Sequence, residues 1–105
     1  MPMFLADHTW KKEQTPSIMK GLVASFMGLA AGVRPEQWPK TVNLCATYAL
    51  AGECRAICIW EADKAETLVN MFKKMEATFP VKTIITPIAQ VYPPGPGLYA
   101  WIAQM

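Results

Sequence analysis

His8 is the only histidine among the 105 residues of this chain. It falls in the segment Met3–Trp10, and in an extended strand it would share one face with Phe4, Ala6 and Trp10. An imidazole set against apolar surface shifts toward its neutral form and can then take a proton or hold a ligand. Asp7 would point to the opposite face, so the sequence offers no ready carboxylate–imidazole pair. A lone histidine on such a face also serves simply as packing. His8 is therefore the expected catalytic residue if there is one. Trp10, Tyr48, Arg55 and Trp60 are the side chains expected to line or close a pocket around it, followed by Trp101.

The three cysteines are the next chemistry-bearing group. A two-residue turn at Ala51–Gly52 would set Cys45 opposite Cys58, about 5 Å apart by Cα. Cys54 and Cys58 lie four residues apart on one strand, about 13 Å, too far to share a metal ion. Two thiolates fall short of the usual four ligands, and free cysteines commonly pack as small hydrophobes. No metal site and no cofactor are expected. An odd cysteine count without finger-like spacing also argues against a secreted disulfide framework and for a reducing cytoplasm. The carboxylates of Glu61, Asp63 and Glu66 are explained by solvation and by a capping box at the start of a helix, with Asp63 as N-cap.

The elements that position these residues read strand, helix, strand, strand, helix, strand. They are Met3–Trp10, Pro16–Ala31, Val42–Leu50, Glu53–Trp60, Lys64–Phe79 and Val81–Tyr92. Thr15 and Pro16 signal the first helix start, and Gly32 its end. That helix carries an apolar stripe (Ile18, Leu22, Phe26, Leu29) and a small-residue stripe (Gly21, Ser25, Gly28, Gly32). The second stripe leaves room for close packing or for a ligand lying against the helix. In the second helix Ala65, Leu68, Phe72, Met75 and Phe79 recur at helical spacing, and Pro80 stops it. Pro87 in the last strand requires a sheet edge or a bulge.

This order predicts an α+β, ferredoxin-like βαββαβ domain over residues 1–92, with a four-stranded antiparallel sheet and two helices on one face. Residues 93–105 read as a Pro/Gly-rich linker, Pro93–Gly97, and an apolar arm, LYAWIAQM, expected to dock on its own domain or on a second subunit. Both faces of the central hairpin are largely apolar away from the turn, which is unusual for a sheet with one wet side. The chain is also 52% hydrophobic and only 17% charged, below the usual quarter. A homodimer joined through its sheets is the expected assembly.

Other partners are disfavoured. The net charge of +2 is spread over dispersed basic residues, leaving no footprint for nucleic acid. The opening MPMFLADHTW lacks the basic-then-apolar order of a signal peptide. Prolines and glycines break the uncharged stretch Thr83–Met105 short of a membrane helix, which needs about 20 apolar residues.

The element order, the helix start WEADKAET after the third strand, and the Ile-Ile-Thr-Pro strand near the end resemble the dimeric α/β-barrel superfamily of ferredoxin-like proteins over residues 3–92. The resemblance implies two sheets paired face to face, with a cleft between sheet and helices in each subunit. It implies membership among small cyclases, isomerases, cofactor-light monooxygenases and haem-binding enzymes, some of which carry a histidine early in the first strand. The arm departs from the minimal pattern. The expected function is binding of a small apolar ligand near His8, or cofactor-independent proton-transfer chemistry on it. The alternative is a non-catalytic oligomeric or ligand-sensing module.

Overall fold

Apolar alternation in four segments and helical periodicity in two organise the chain. The computed structural model describes residues 1–50, 52–77 and 79–105. In chain order the elements are β1 (Met3–Thr9), a 3₁₀ turn (Lys12–Gln14), α1 (Thr15–Ala30), β2 (Val42–Ala49), β3 (Arg55–Ala62), α2 (Ala65–Met75), β4 (Lys82–Ile88) and α3 (Leu98–Gln104). The strands form one antiparallel sheet ordered β2-β3-β1-β4. This α+β arrangement is compatible with the expected ferredoxin-like fold. β4 is an edge strand, which is why it tolerates Pro87.

Register sorts the side chains into two faces. Across the inner face run the rows Leu44–Trp60–Phe4–Pro87, Thr47–Cys58–Ala6–Ile85 and Ala49–Ala56–His8–Thr83. Across the outer face run Asn43–Glu61–Met3–Ile88, Ala46–Ile59–Leu5–Thr86 and Tyr48–Ile57–Asp7–Ile84. The core forms where α2 lays Leu68, Met71 and Phe72 on the inner face, against Phe4, Ala6, Cys58 and Trp60.

The hairpin register differs from the expected one. Ala51, half of the anticipated turn, lies outside the described residues. Around it, the Leu50 N–H donates to the Arg55 carbonyl at 3.0 Å and the Glu53 N–H to the Leu50 carbonyl at 3.1 Å. Gly52 adopts the left-handed φ of 80°, which glycine reaches without steric cost. Thr47 therefore faces Cys58 in place of Ala56. A slip of two keeps every side chain on its face. The irregularity between Leu44 and Ala46 does not. The slip alone gives Cys58 to Thr47 and not to Cys45, and the irregularity then leaves Cys45 without a register partner and turns Leu44 and Val42 inward.

Both main helices start and stop near the expected places. The 3₁₀ turn runs directly into α1, and the Thr15 hydroxyl accepts the Trp10 indole N–H at 3.0 Å where a capping bond was expected. At the other end the Val33 N–H donates to the Gly28 carbonyl at 2.8 Å and the Gly32 N–H to the Leu29 carbonyl at 3.0 Å. With Gly32 at a φ of 82°, this is a Schellman termination. α2 begins after Lys64 with no side-chain capping bond, so the expected Asp63 box is not formed. Hydrogen bonding from Thr67 holds the exposed Asp63 carboxyl below its ordinary pKa. α2 ends at Met75, short of Phe79, and Pro80 disfavours a helical conformation at Phe79 itself.

The apolar arm forms the short helix α3, but Tyr99, Trp101, Ile102 and Met105 all stay exposed. Among the described residues no helix is long and apolar enough to cross a membrane.

Candidate functional site

α1 buries only Ile18 fully, near its start. Farther along, helix and sheet stand apart around a cavity of about 240 Å³. The inner sheet face supplies its floor through His8, Leu44, Cys58 and Trp60. α1 supplies one wall through Gly21, Leu22, Ser25 and Phe26. Phe72, Met75 and Phe79 supply the other, and Trp38 closes the end from the loop that follows α1.

The lining is mostly aromatic, and its rings meet edge to face. Trp60 meets Trp38 at 4.9 Å and Phe72 at 5.8 Å between centroids. His8 meets Phe72 at 4.9 Å and Phe79 at 6.3 Å. Such pairs contribute about 0.5–1.5 kcal/mol each. Together they offset the roughly 1–3 kcal/mol cost of one unpaired buried donor, and the cavity contains one. The Trp60 indole N–H is buried and has no partner among the described residues.

Arg34 holds the Trp38 end in place. Its guanidinium donates to the carbonyls of Trp38 at 3.2 Å, of Val42 at 2.6 Å and of Pro39. It also lies over the Trp38 ring, 5.9 Å from the centroid. The loop from Val33 to Thr41 has no regular structure, so this one side chain supplies much of its fixed shape.

His8 is 2% exposed and is the one buried polar residue among those described. Its Nδ1 lies 2.7 Å from the Thr83 hydroxyl on the adjacent strand. Burial drives its pKa from 6.5 down to about 4, against a smaller opposing pull from the Asp7 charge. The imidazole is thus neutral at physiological pH. With Nδ1 committed to Thr83, Nε2 is the ring nitrogen outside that contact. When Nδ1 carries the proton and donates to Thr83, Nε2 is a free base.

Trp60 is the expected pocket residue that joins His8 in this cavity. Trp10 lies beyond the end of β1, its indole tied to Thr15. Tyr48 is 63% exposed on the outer face. Arg55 also faces outward, where it forms a two-point ion pair with Asp7 (Nε–Oδ1 3.0 Å, second contact 2.6 Å). That pair holds the Asp7 carboxyl below its ordinary pKa. Trp101 lines a separate open groove with Pro87, Ile88 and Val91.

The sequence signal that could have found the α1 wall was the small-residue stripe, since Gly21 and Ser25 belong to the lining. A Cβ built on Gly21 meets nothing within 4 Å. Trp38 carried no periodicity to mark it.

The thiols occupy three unlike places. Cys58 is buried 3.3 Å from the Thr47 hydroxyl, and burial pushes its pKa up. Cys45 is exposed at the bulge, 3.5 Å from Glu61 Oε1, and its pKa is raised by partial desolvation and by that carboxylate. Cys54 sits half-buried beside Thr15. Among the described residues no group of three or more His, Cys, Asp or Glu could hold a metal ion.

No protein-family model, no curated protein and no solved structure matches this chain. The functional reading therefore rests on the geometry of the cavity.

Proposed function

We propose that this chain binds a small, largely apolar molecule in the cavity and that His8 exchanges a proton with it. The observation that carries the reading is the neutral, buried imidazole, held at Nδ1 by Thr83 and bordering an aromatic cavity. Nε2 takes a proton from an acidic C–H or O–H of the ligand. It returns the proton to another atom of the same molecule as the electron pair moves. The net change is an isomerisation, with no oxidant, reductant or added group. The surrounding rings keep water from competing for the proton.

The test uses 2-indanone, a bicyclic ketone with acidic α-hydrogens, followed by proton NMR in heavy water. Exchange of those hydrogens should run above the buffer rate with the native chain and fall to it with His8→Gln. Bound 2-indanone with no excess exchange would remove the catalytic role.

A second reading, a ligand-sensing oligomeric module, has its own support. The outer sheet face presents Leu5, Ile57, Ile59 and the 58%-exposed Ile84, and the arm leaves its apolar residues uncovered. Pairing of two copies through these sheets fits both readings and follows from the same apolar surface. The free thiols fit a reducing cytoplasm.

A further inference from the structure

Three polar features border the cavity without an assigned role: the Ser25 hydroxyl, the Cys58 thiol and the Trp60 indole N–H. Cys58 has Thr47 as a neighbour, and Ser25 is only half-buried. Trp60 differs from both. It is 2% exposed, it lines the cavity, and its N–H has no partner among the described residues. Buried donors left unpaired are rare, and each calls for an explanation. Edge contacts from Trp38 and Phe72 fix the ring, so it does not turn to find a partner elsewhere.

We propose that the Trp60 N–H is the recognition donor of the cavity, and that the ligand is a neutral bicyclic molecule carrying a hydrogen-bond-accepting oxygen. This rests on the cavity being a ligand site and names what the site selects. Size sets the ring count. A dry cavity of about 150 Å³ accepts benzene, and this one measures about 240 Å³. At the same space per atom the whole cavity holds about nine or ten non-hydrogen atoms, the size of two fused rings. A charged ligand is disfavoured because no cation or anion lines the space among the described residues, and the imidazole itself is neutral. Phe72 contacts both His8 and Trp60. A flat molecule lying along Phe72 therefore has the donor near one end and the imidazole near the other.

Two probes of nearly equal shape separate recognition from simple cavity filling: 2-indanone, with an acceptor oxygen, and indane, without one. Binding is followed by the ¹H–¹⁵N indole signals of the native chain, with Trp60 assigned through its contacts to Phe72. The Trp60 signal should move downfield with 2-indanone and not with indane. Trp60→Phe should weaken 2-indanone at least about fivefold more than indane, the ratio cancelling any change of cavity shape. If both probes bind and the indole signal treats them alike, Trp60 is not the donor while the ligand site stands. If neither probe binds, the ligand site and the donor role fall together. If the variant does not fold, the native indole signal alone decides.

Discussion

The Nδ1 atom of His8 and the hydroxyl of Thr83 meet at 2.7 Å across the β1–β4 pair. The contact fixes the imidazole from the strand side, and His8 borders the cavity. It also ties the electrostatics of the site to the sheet edge, since β4 has no neighbour beyond it.

Stability should depend on pH through His8. Its pKa is about 4 when folded against 6.5 ordinarily, so between those values the unfolded chain binds more protons. The stabilisation is complete above pH 6.5 and is lost as pH falls toward 4, by up to about 3 kcal/mol. Loss of the Asp7–Arg55 pair follows only below the ordinary carboxylate range. Denaturant titrations from pH 7.5 to 4 should show this slope, and His8→Gln should flatten it. An unchanged slope in the variant would place the titrating group elsewhere.

Thr83→Val should cost about 1 kcal/mol by leaving the His8 ring without its polar partner. Thr83→Ser should restore most of that loss. Equal stability of all three chains in urea would show that the 2.7 Å contact contributes nothing.

Gly21 offers a way to fill the cavity without removing anything. Its surroundings are open, and glycine in a helix interior is about 1 kcal/mol worse than alanine. Gly21→Ala should therefore raise the melting temperature, while Gly21→Phe should block 2-indanone and leave the chain folded. Unimpaired binding to Gly21→Phe would mean that the ligand enters elsewhere.

Arg34→Met keeps the aliphatic stem and deletes the donors to Trp38, Pro39 and Val42. The expected loss is about 1 kcal/mol, together with a red shift of tryptophan emission as Trp38 gains water. Emission identical to the native chain would show that the loop holds its shape without the guanidinium.

The outer face predicts the assembly state. Sedimentation at micromolar concentration should give about twice the 11.7 kDa chain mass, and Ile57→Lys with Ile59→Lys should return it to one. A monomeric native chain would remove the paired-sheet proposal. Truncation after Tyr92 should leave the mass unchanged if the arm plays no part in pairing.

Much of the scaffold was legible because it depends on periodicity. The alternation of Phe4, Ala6 and His8, and the spacing of Leu68 and Phe72, placed their side chains on the inner face without knowledge of any contact. Features set by a single residue count were not legible. The extra residue at Cys45 inverts β2 beyond it, which no alternation rule anticipates. The same extra residue brings Leu44 onto the cavity floor, opposite Trp60. Trp38 belongs to a loop held by Arg34, and loop geometry is written in tertiary hydrogen bonds that the sequence pattern does not carry. Strand alternation groups Trp10 with His8, and Tyr48 joins them only as a further aromatic candidate. Strand ends and pleat direction separate both aromatics from His8.

The single deep anchor of α1 at Ile18 has a kinetic consequence. A helix pinned near its first turns and lightly packed along the rest can swing about that pin without disturbing the sheet. Amide exchange should then be faster across residues 22–30 than across α2, by a sub-global opening that requires no unfolding of the core. The rate of that opening would set how fast any guest enters or leaves, so residence time would follow the hinge at Ile18 more closely than the contacts inside.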